Sequence, residues 1–241
     1  MRIYSILACA VCVLFDPAWS AAQDRIRVNI DAAEQTTTTA FTVTTTFTEF
    51  VEQGQITTKH TIAQGLVYGG GLTVRTWKNL VLGAAVSYHS KPGSAQLNAE
   101  LPHPFLFDRP RLVSATASGL KRSEVGTHVM LGMIFPATDH MDIVVSGGPS
   151  IFQVQQDLVT RVTYTQTYPY DQVQFTGVTT QRFKDRTIGY HAAADVTVKF
   201  SRHVGVGSML RFARGKLKAT GGNPSFDVGG LYADGGLRII F

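Results

Sequence analysis

The sequence predicts an all-β chain, an eight-stranded antiparallel up-and-down transmembrane β-barrel. Three observations carry that expectation. Apolar residues alternate with glycine and polar residues over runs of about ten residues, the length of a tilted strand crossing a bilayer. Short and long polar stretches separate these runs in turn. The final run, Gly235-Gly236-Leu237-Arg238-Ile239-Ile240-Phe241, stops on an aromatic residue, where a chain end in water would fray. In a barrel that last strand must pair with the first, because lipid offers no partner to an open sheet edge.

The elements follow in order. Arg2, the apolar stretch Ile3 to Phe15, the breaker Asp16-Pro17 and the small residues around Ala18-Trp19-Ser20-Ala21-Ala22 read as a signal peptide over residues 1–22. Cleavage is expected after Ser20 or Ala22, leaving 23–241 as the barrel domain. The apolar stretch is too short to span a bilayer as a helix, which takes about 20 residues. Both cysteines, Cys9 and Cys12, lie in this segment. The mature chain therefore has no disulfide, thiolate nucleophile or cysteine metal site.

The first strand begins near Arg25. The threonines Thr36 to Thr39 and Thr44 to Thr46 are β-prone and belong either to that strand or to an extension above the membrane. Leu66 to Trp77 and Leu80 to His89 form a hairpin across the tight turn Lys78-Asn79. Val125 to Phe135 turns through Pro136 to His140 into Met141 to Ser146. Tyr190 to Phe200 turns through Ser201-Arg202-His203 into Val204 to Phe212, and the last strand runs from about Val228 to Phe241. Eight strands with three short turns and four long connections make the outer-membrane plan, short turns on one side and long loops on the other.

Alternation alone does not assign inside from outside. A soluble eight-stranded calyx would carry the same pattern reversed. The membrane is favoured because each strand has few charges and one nearly uncharged face. A mean hydropathy of +0.05 fits, since lipid-facing and lumen-facing residues average out. The net charge of +5 in an exported chain points to anionic lipid heads and away from nucleic acid.

The signal peptide, the alternating strands, the Val204 to Phe212 run and the Gly235 to Phe241 ending resemble the small bacterial outer-membrane barrels of the OmpA and OmpX class. The resemblance covers essentially the whole mature chain. It implies a cell outer-membrane location and Phe241 as the signal read by the barrel-assembly machinery. No appended periplasmic domain is expected, because the chain ends with the barrel. The segment Leu101 to Arg111, with Pro102, Pro104 and Pro110, departs from the best-known members.

The interior of an eight-stranded barrel is just wide enough for side chains to fill. Alternation places Arg75, Glu124, His128, Asp142, His191, Asp195, Lys199, Arg211, Asp234 and Arg238 there. Mixed signs fit a paired polar core, since an unpaired buried charge is costly; the competing reading is a narrow channel for small solutes or ions. Ser208, His191, His128 and Asp195 supply the residue types of a lipid-modifying enzyme, but at no motif spacing, so no catalytic residue is assigned. The seven histidines show no metal-ligand spacing, and no cofactor is expected.

Three long connections, Lys91–Glu124, Asp157–Arg186 and Arg214–Asp227, hold 12 Lys or Arg against 7 Asp or Glu. This excess suits anchoring to anionic headgroups. Phe105, Phe107, Arg109, Arg111, Tyr168 and Tyr170 are the candidate contacts for a surface ligand. The expected role is that of a monomeric, non-enzymatic barrel, structural or surface-interactive.

Overall fold

The computed structural model describes residues 25–36, 39–62, 64–217 and 226–241. The signal-peptide expectation and part of the third long connection lie outside them. The strands are β1 (Ile26–Gln35), β2 (Thr39–Glu49), β3 (Glu52–Ile62), β4 (Gly65–Trp77), β5 (Leu80–Leu101), β6 (Arg111–Thr138), β7 (Met141–Gln166), β8 (Val173–Lys199), β9 (Val204–Leu217) and β10 (Phe226–Ile240).

Eight of them close a ring in which every neighbour is antiparallel, β1-β4-β5-β6-β7-β8-β9-β10 and back to β1. Closure runs from Arg27 opposite Ile240 to Gln35 opposite Tyr232. Phe241 extends it, its N–H donating to Ile26 O at 2.8 Å. The hairpin β2–β3 stands above this ring, with β3 paired to the far half of β5 from Gln55–Glu100 to Thr61–Ser94. Thr39 and Thr44 to Thr46, on β2, thus belong to an extension, outside the barrel wall proper; Thr37 and Thr38 lie outside the described residues.

The lower wall faces outward with apolar side chains. Leu72, Leu82, Val129, Leu131, Met133, Val145, Val196, Val206, Leu210 and Leu237 are all exposed. Trp77, Phe135, Phe200 and Phe241 stand outward at the short-turn end, and Tyr68, Tyr88, Tyr190 and Phe212 at the other margin. Ten residues separate Tyr190 from Phe200, which at ~3.4 Å per residue and a tilt of about 40° makes a band near 25 Å tall. An apolar band of that height between two aromatic girdles, around a charged interior, is a transmembrane barrel, not a calyx.

Above the band the polarity inverts. On β7 the outward side chains change from Val145 and Ile151 to Gln153, Gln155 and Arg161, while the inward ones become Phe152, Val154, Val159 and Val162. The period of two persists; only its hydrophobic phase switches face. As a result Lys91–Glu124 is mainly strand, a correction to its reading as a loop, and Asp157–Arg186 is a hairpin that protrudes from the membrane, as its sequence reads. β6 alone has 28 residues, so more than half of it stands clear of the bilayer.

Two apolar layers fill the upper part. The lower joins Ala33, Phe41, Val67, Phe152, Leu217, Phe226 and Tyr232, with Phe41 stacked on Phe226 at 4.5 Å. The upper joins Ile56, Leu97, Leu101, Val113, Val159 and Val162, covered by Phe47 and Phe175. A water-facing extension needs such a core; a lipid-facing wall does not.

Candidate functional site

The ionisable residues inside the barrel form a continuous column. At the short-turn end Asp142 pairs with Arg27 at 2.8 Å and Lys199 at 3.0 Å. Next, Arg238 is bound by Asp31 and Asp195 and lies 4.0 Å from Asp234. Asp234 also approaches Arg211 at 3.6 Å and accepts the Met209 N–H at 3.0 Å. Arg238 is 1% exposed, so its charge stands only because carboxylates enclose it. Gly207 makes room for it, since a Cβ there would lie 2.7 Å from Arg238 Nε.

Above these pairs lies a neutral layer. Ser87 Oγ lies 3.1 Å from His128 Nε2, His128 Nδ1 2.8 Å from Ser150 Oγ, and Ser150 Oγ 3.0 Å from His191 Nδ1. A serine between two imidazoles has the parts of an activated nucleophile. Ser150, however, has no exposed surface, so no substrate reaches it. The layer satisfies buried polar groups.

The column ends at Arg122, which pairs with Glu124 at 3.0 Å and donates to Gln156 Oε1 at 3.2 Å. Glu124 in turn accepts the Gly229 N–H at 3.1 Å. The carboxylates of Asp31, Glu124, Asp142, Asp195 and Asp234 thus face the cations Arg27, Arg122, Lys199, Arg211 and Arg238, five against five. The void between Asp31, Ser87, Arg211, Tyr232 and Asp234 measures about 10 Å³, room for one water at most. Phe152 enters the column between His128 and Glu124, Tyr232 stands opposite Arg211, and the Arg122 guanidinium lies 5.7 Å from the Phe226 ring.

Of the residues assigned to the lumen by alternation, Glu124, His128, Asp142, His191, Asp195, Lys199, Arg211, Asp234 and Arg238 come together in this column. Arg75 does not. It keeps the inward parity, opposite buried Val81, but lies at the β4–β5 turn, donating to Lys78 O and, at 3.1 Å, to Asn79 Oδ1. Arg27, Asp31, Arg122, Ser150 and Gln156 went unassigned. Arg27 and Asp31 share the inward parity of β1, the signal that could have found them.

The second assembly lies at the far end of the extension, where three hairpin tips meet. Asp108 N donates to Glu52 Oε1 at 2.7 Å, joining the β5–β6 tip to β2–β3. Arg111 joins it to β7–β8, donating to Gln166 Oε1, to Tyr170 O at 3.1 Å and to Pro102 O at 2.6 Å. Arg111 is therefore a buried clamp, 5% exposed, which corrects its assignment as a surface contact. Phe105 and Phe107 are 71% and 74% exposed and Tyr168 84%. The Phe105 and Tyr170 rings lie 5.5 Å apart, Arg109 is exposed, and Phe50 and Val51 add apolar surface from the third tip.

His60, in the extension, is buried with neither ring nitrogen bonded and lies flat on Phe41 at 4.9 Å. Burial, and then the Arg122 charge, push its pKa from 6.5 down to about 4.

No protein-family model matches the chain, and no curated protein matches it. Among solved structures it is similar to the outer membrane protein OprG from Pseudomonas aeruginosa, at 7% identity and a TM-score of 0.49, covering 90% of this chain and 96% of that one. It is also similar to Neisserial surface protein A, at 12% identity and 0.47 (90% and 97% covered). The outer membrane protease OmpT from Escherichia coli matches at 12% and 0.47 (91% and 98%). All three scores fall below 0.5, so the barrel reading rests on the strand ring and its apolar band.

Proposed function

We propose that the chain is a non-enzymatic outer-membrane barrel that holds a rigid β-stalk above the bilayer and presents an aromatic tip for surface interaction. The observation that carries this reading is the convergence of Phe50, Val51, Phe105, Leu106, Phe107 and Tyr168 on three tips clamped together by Arg111 and Glu52. Exposed apolar side chains gathered on ordered loops mark interaction sites. Short turns on one end and long hairpins on the other support a tip outside the cell. The paired column and the aromatic side chains packed into it support a scaffold over a channel. The buried Ser150 layer supports a structural use of the lumen over catalysis.

Partitioning of intact expressing cells from buffer into hexadecane tests the tip. Expression of the wild-type chain is expected to raise the partitioned fraction. The variant F105S/F107S/Y168S, with unchanged heat-modifiable folded protein, is expected to return it to the level of the empty strain. Equal partitioning of wild type and variant would remove the tip from the account.

A further inference from the structure

A basic face runs up the outside of the wall immediately above the apolar band, remote from both assemblies just described. The register lays it out row by row. Val125, Gln153 and Arg186 are cross-strand partners, as are Ser123, Gln155 and Lys184. One row higher come Asp157 and Arg182, beside Lys121. Arg182, Lys184 and Arg186 share one parity on β8 and are all exposed. Asp185, between the last two, has the opposite parity. Ile188 and Tyr190, continuing that parity downward, belong to the apolar band and its girdle.

The acid on this face is Asp157. Arg182 Nε donates to it at 3.0 Å and the Lys121 backbone N–H at 3.2 Å. Arg182 is thereby tied down, and its guanidinium holds the Asp157 carboxyl below the usual carboxylate range. Four cations against one carboxylate leave the face positive. Beside it an open hollow of about 420 Å³ is lined by Tyr88, Ser90, Lys121, Ser123, Gln155 and Arg182. Its floor is a girdle aromatic, at the bilayer margin, and its upper rim is cationic. Between them stand hydroxyls and an amide able to bond sugar or phosphate oxygens.

Height selects among anionic lipids. From Arg186 to Arg182 the strand climbs about 10 Å, at ~3.3 Å per residue and a tilt of about 40°, beyond a girdle that already marks the edge of the hydrocarbon. A glycerophospholipid carries one phosphate close to that edge. A phosphorylated glycolipid, whose sugars and several phosphates stand up off the bilayer, matches both the height and the number of cations. We infer that Lys121, Arg182, Lys184 and Arg186, with the hollow below them, bind the headgroup of a phosphorylated glycolipid of the leaflet surrounding the barrel. This inference rests on the outward orientation of the long hairpins, but not on the role of the tip.

The test is co-sedimentation of the full folded chain, in neutral-lipid vesicles, with three probes. They are rough lipopolysaccharide carrying phosphorylated core sugars, the same glycolipid after dephosphorylation, and phosphatidylglycerol at equal phosphate. The phosphorylated glycolipid is expected to bind tightest. The variant K121Q/R182Q/K184Q/R186Q is expected to lose at least about a hundredfold in affinity, since each Lys or Arg near an anionic surface contributes roughly fivefold. The variant K59Q/K78Q/R109Q/R202Q, which removes four exposed cations elsewhere, is expected to bind as wild type. Replacing the two arginines of this face by lysine, in R182K/R186K, keeps the charge and is expected to keep most of the binding. Equal loss in both glutamine variants would reduce the effect to net charge and overturn the site. Phosphatidylglycerol binding as tightly as the glycolipid, or displacement of the glycolipid by excess inorganic phosphate, would overturn the extended headgroup. Surface labelling of a tag at Arg109 on intact cells separates this from orientation: an inaccessible tag defeats the proposed function, while an accessible tag with no glycolipid binding defeats this inference alone.

Discussion

At the scale of the residue, Arg238 and His60 show two ways a buried ionisable group is tolerated. Arg238 is enclosed by Asp31, Asp195 and Asp234. Replacing it with Gln leaves three carboxylates together around a neutral amide. Removing one partner of a buried pair costs about 3–5 kcal/mol, so R238Q is expected to lower the urea midpoint of the folded band on a heat-modifiability gel by at least that equivalent. An unchanged midpoint would mean that water already compensates these charges. His60 avoids the problem by staying neutral. Unfolded it takes up a proton below pH 6.5, and folded only near about pH 4, so acidification favours the unfolded extension. Its contribution is fully present above pH 6.5 and is lost as pH falls toward 4. Proteolysis of the extension is expected to accelerate from pH 7.5 to 4.5 in wild type and much less in His60→Phe, which keeps the stack on Phe41. The same pH dependence in both would place the sensitivity elsewhere.

At the scale of the element, the barrel strands were legible and the extension was not, for one physical reason. Within the membrane, Leu80 to Tyr88 and Val125 to Phe135 show an apolar outward face against glycine and polar residues. Above it, Ala95, Leu97, Ala99 and Leu101 keep the same period but turn the apolar set inward. Pro92, Gly93 and Pro102 punctuate that stretch and read as loop signals. In the structure Pro92 is exposed on β5, a bulge falls between Gly93 and Ser94, and Pro102 opens the tip. In the candidate site, parity along β6, β8, β9 and β10 located most of the column. It failed at Arg75, which has the inward parity but is held by the β4–β5 turn, and at Arg122, which lay in a presumed loop. Arg111 shows a further limit, since sequence cannot tell an exposed tip cation from one that three carbonyl-type acceptors have drawn inside. The two-layer build makes the extension separable from the barrel. Leu97 is 1% exposed in the upper apolar layer, and burying a carboxylate there is strongly unfavourable. Leu97→Asp is expected to render the hairpins protease-sensitive while the barrel keeps its heat-modifiable migration. Loss of the barrel as well would show that the two layers fold as one unit.

At the scale of the whole molecule, the chain uses one strand pattern for two solvents. Lipid sees an apolar band with a charged, electroneutral interior; water sees a polar wall over an apolar core. The switch of phase at the upper aromatic girdle, on all the long strands together, sets how far the stalk projects. It also narrows the lumen, because the inward rings of Phe152, Phe226 and Tyr232 pack among the upper members of the charge column. The runner-up reading, a narrow channel, needs that column to admit water and ions, but its five cations are matched to five carboxylates and the void beside Asp31, Arg211 and Asp234 measures about 10 Å³. Conductance of the purified full chain in planar bilayers decides between them. The account predicts a silent membrane, or rare and small steps that do not grow with protein concentration as a stable pore would. Large, long-lived, ohmic conductance from the monomer would contradict the closed barrel.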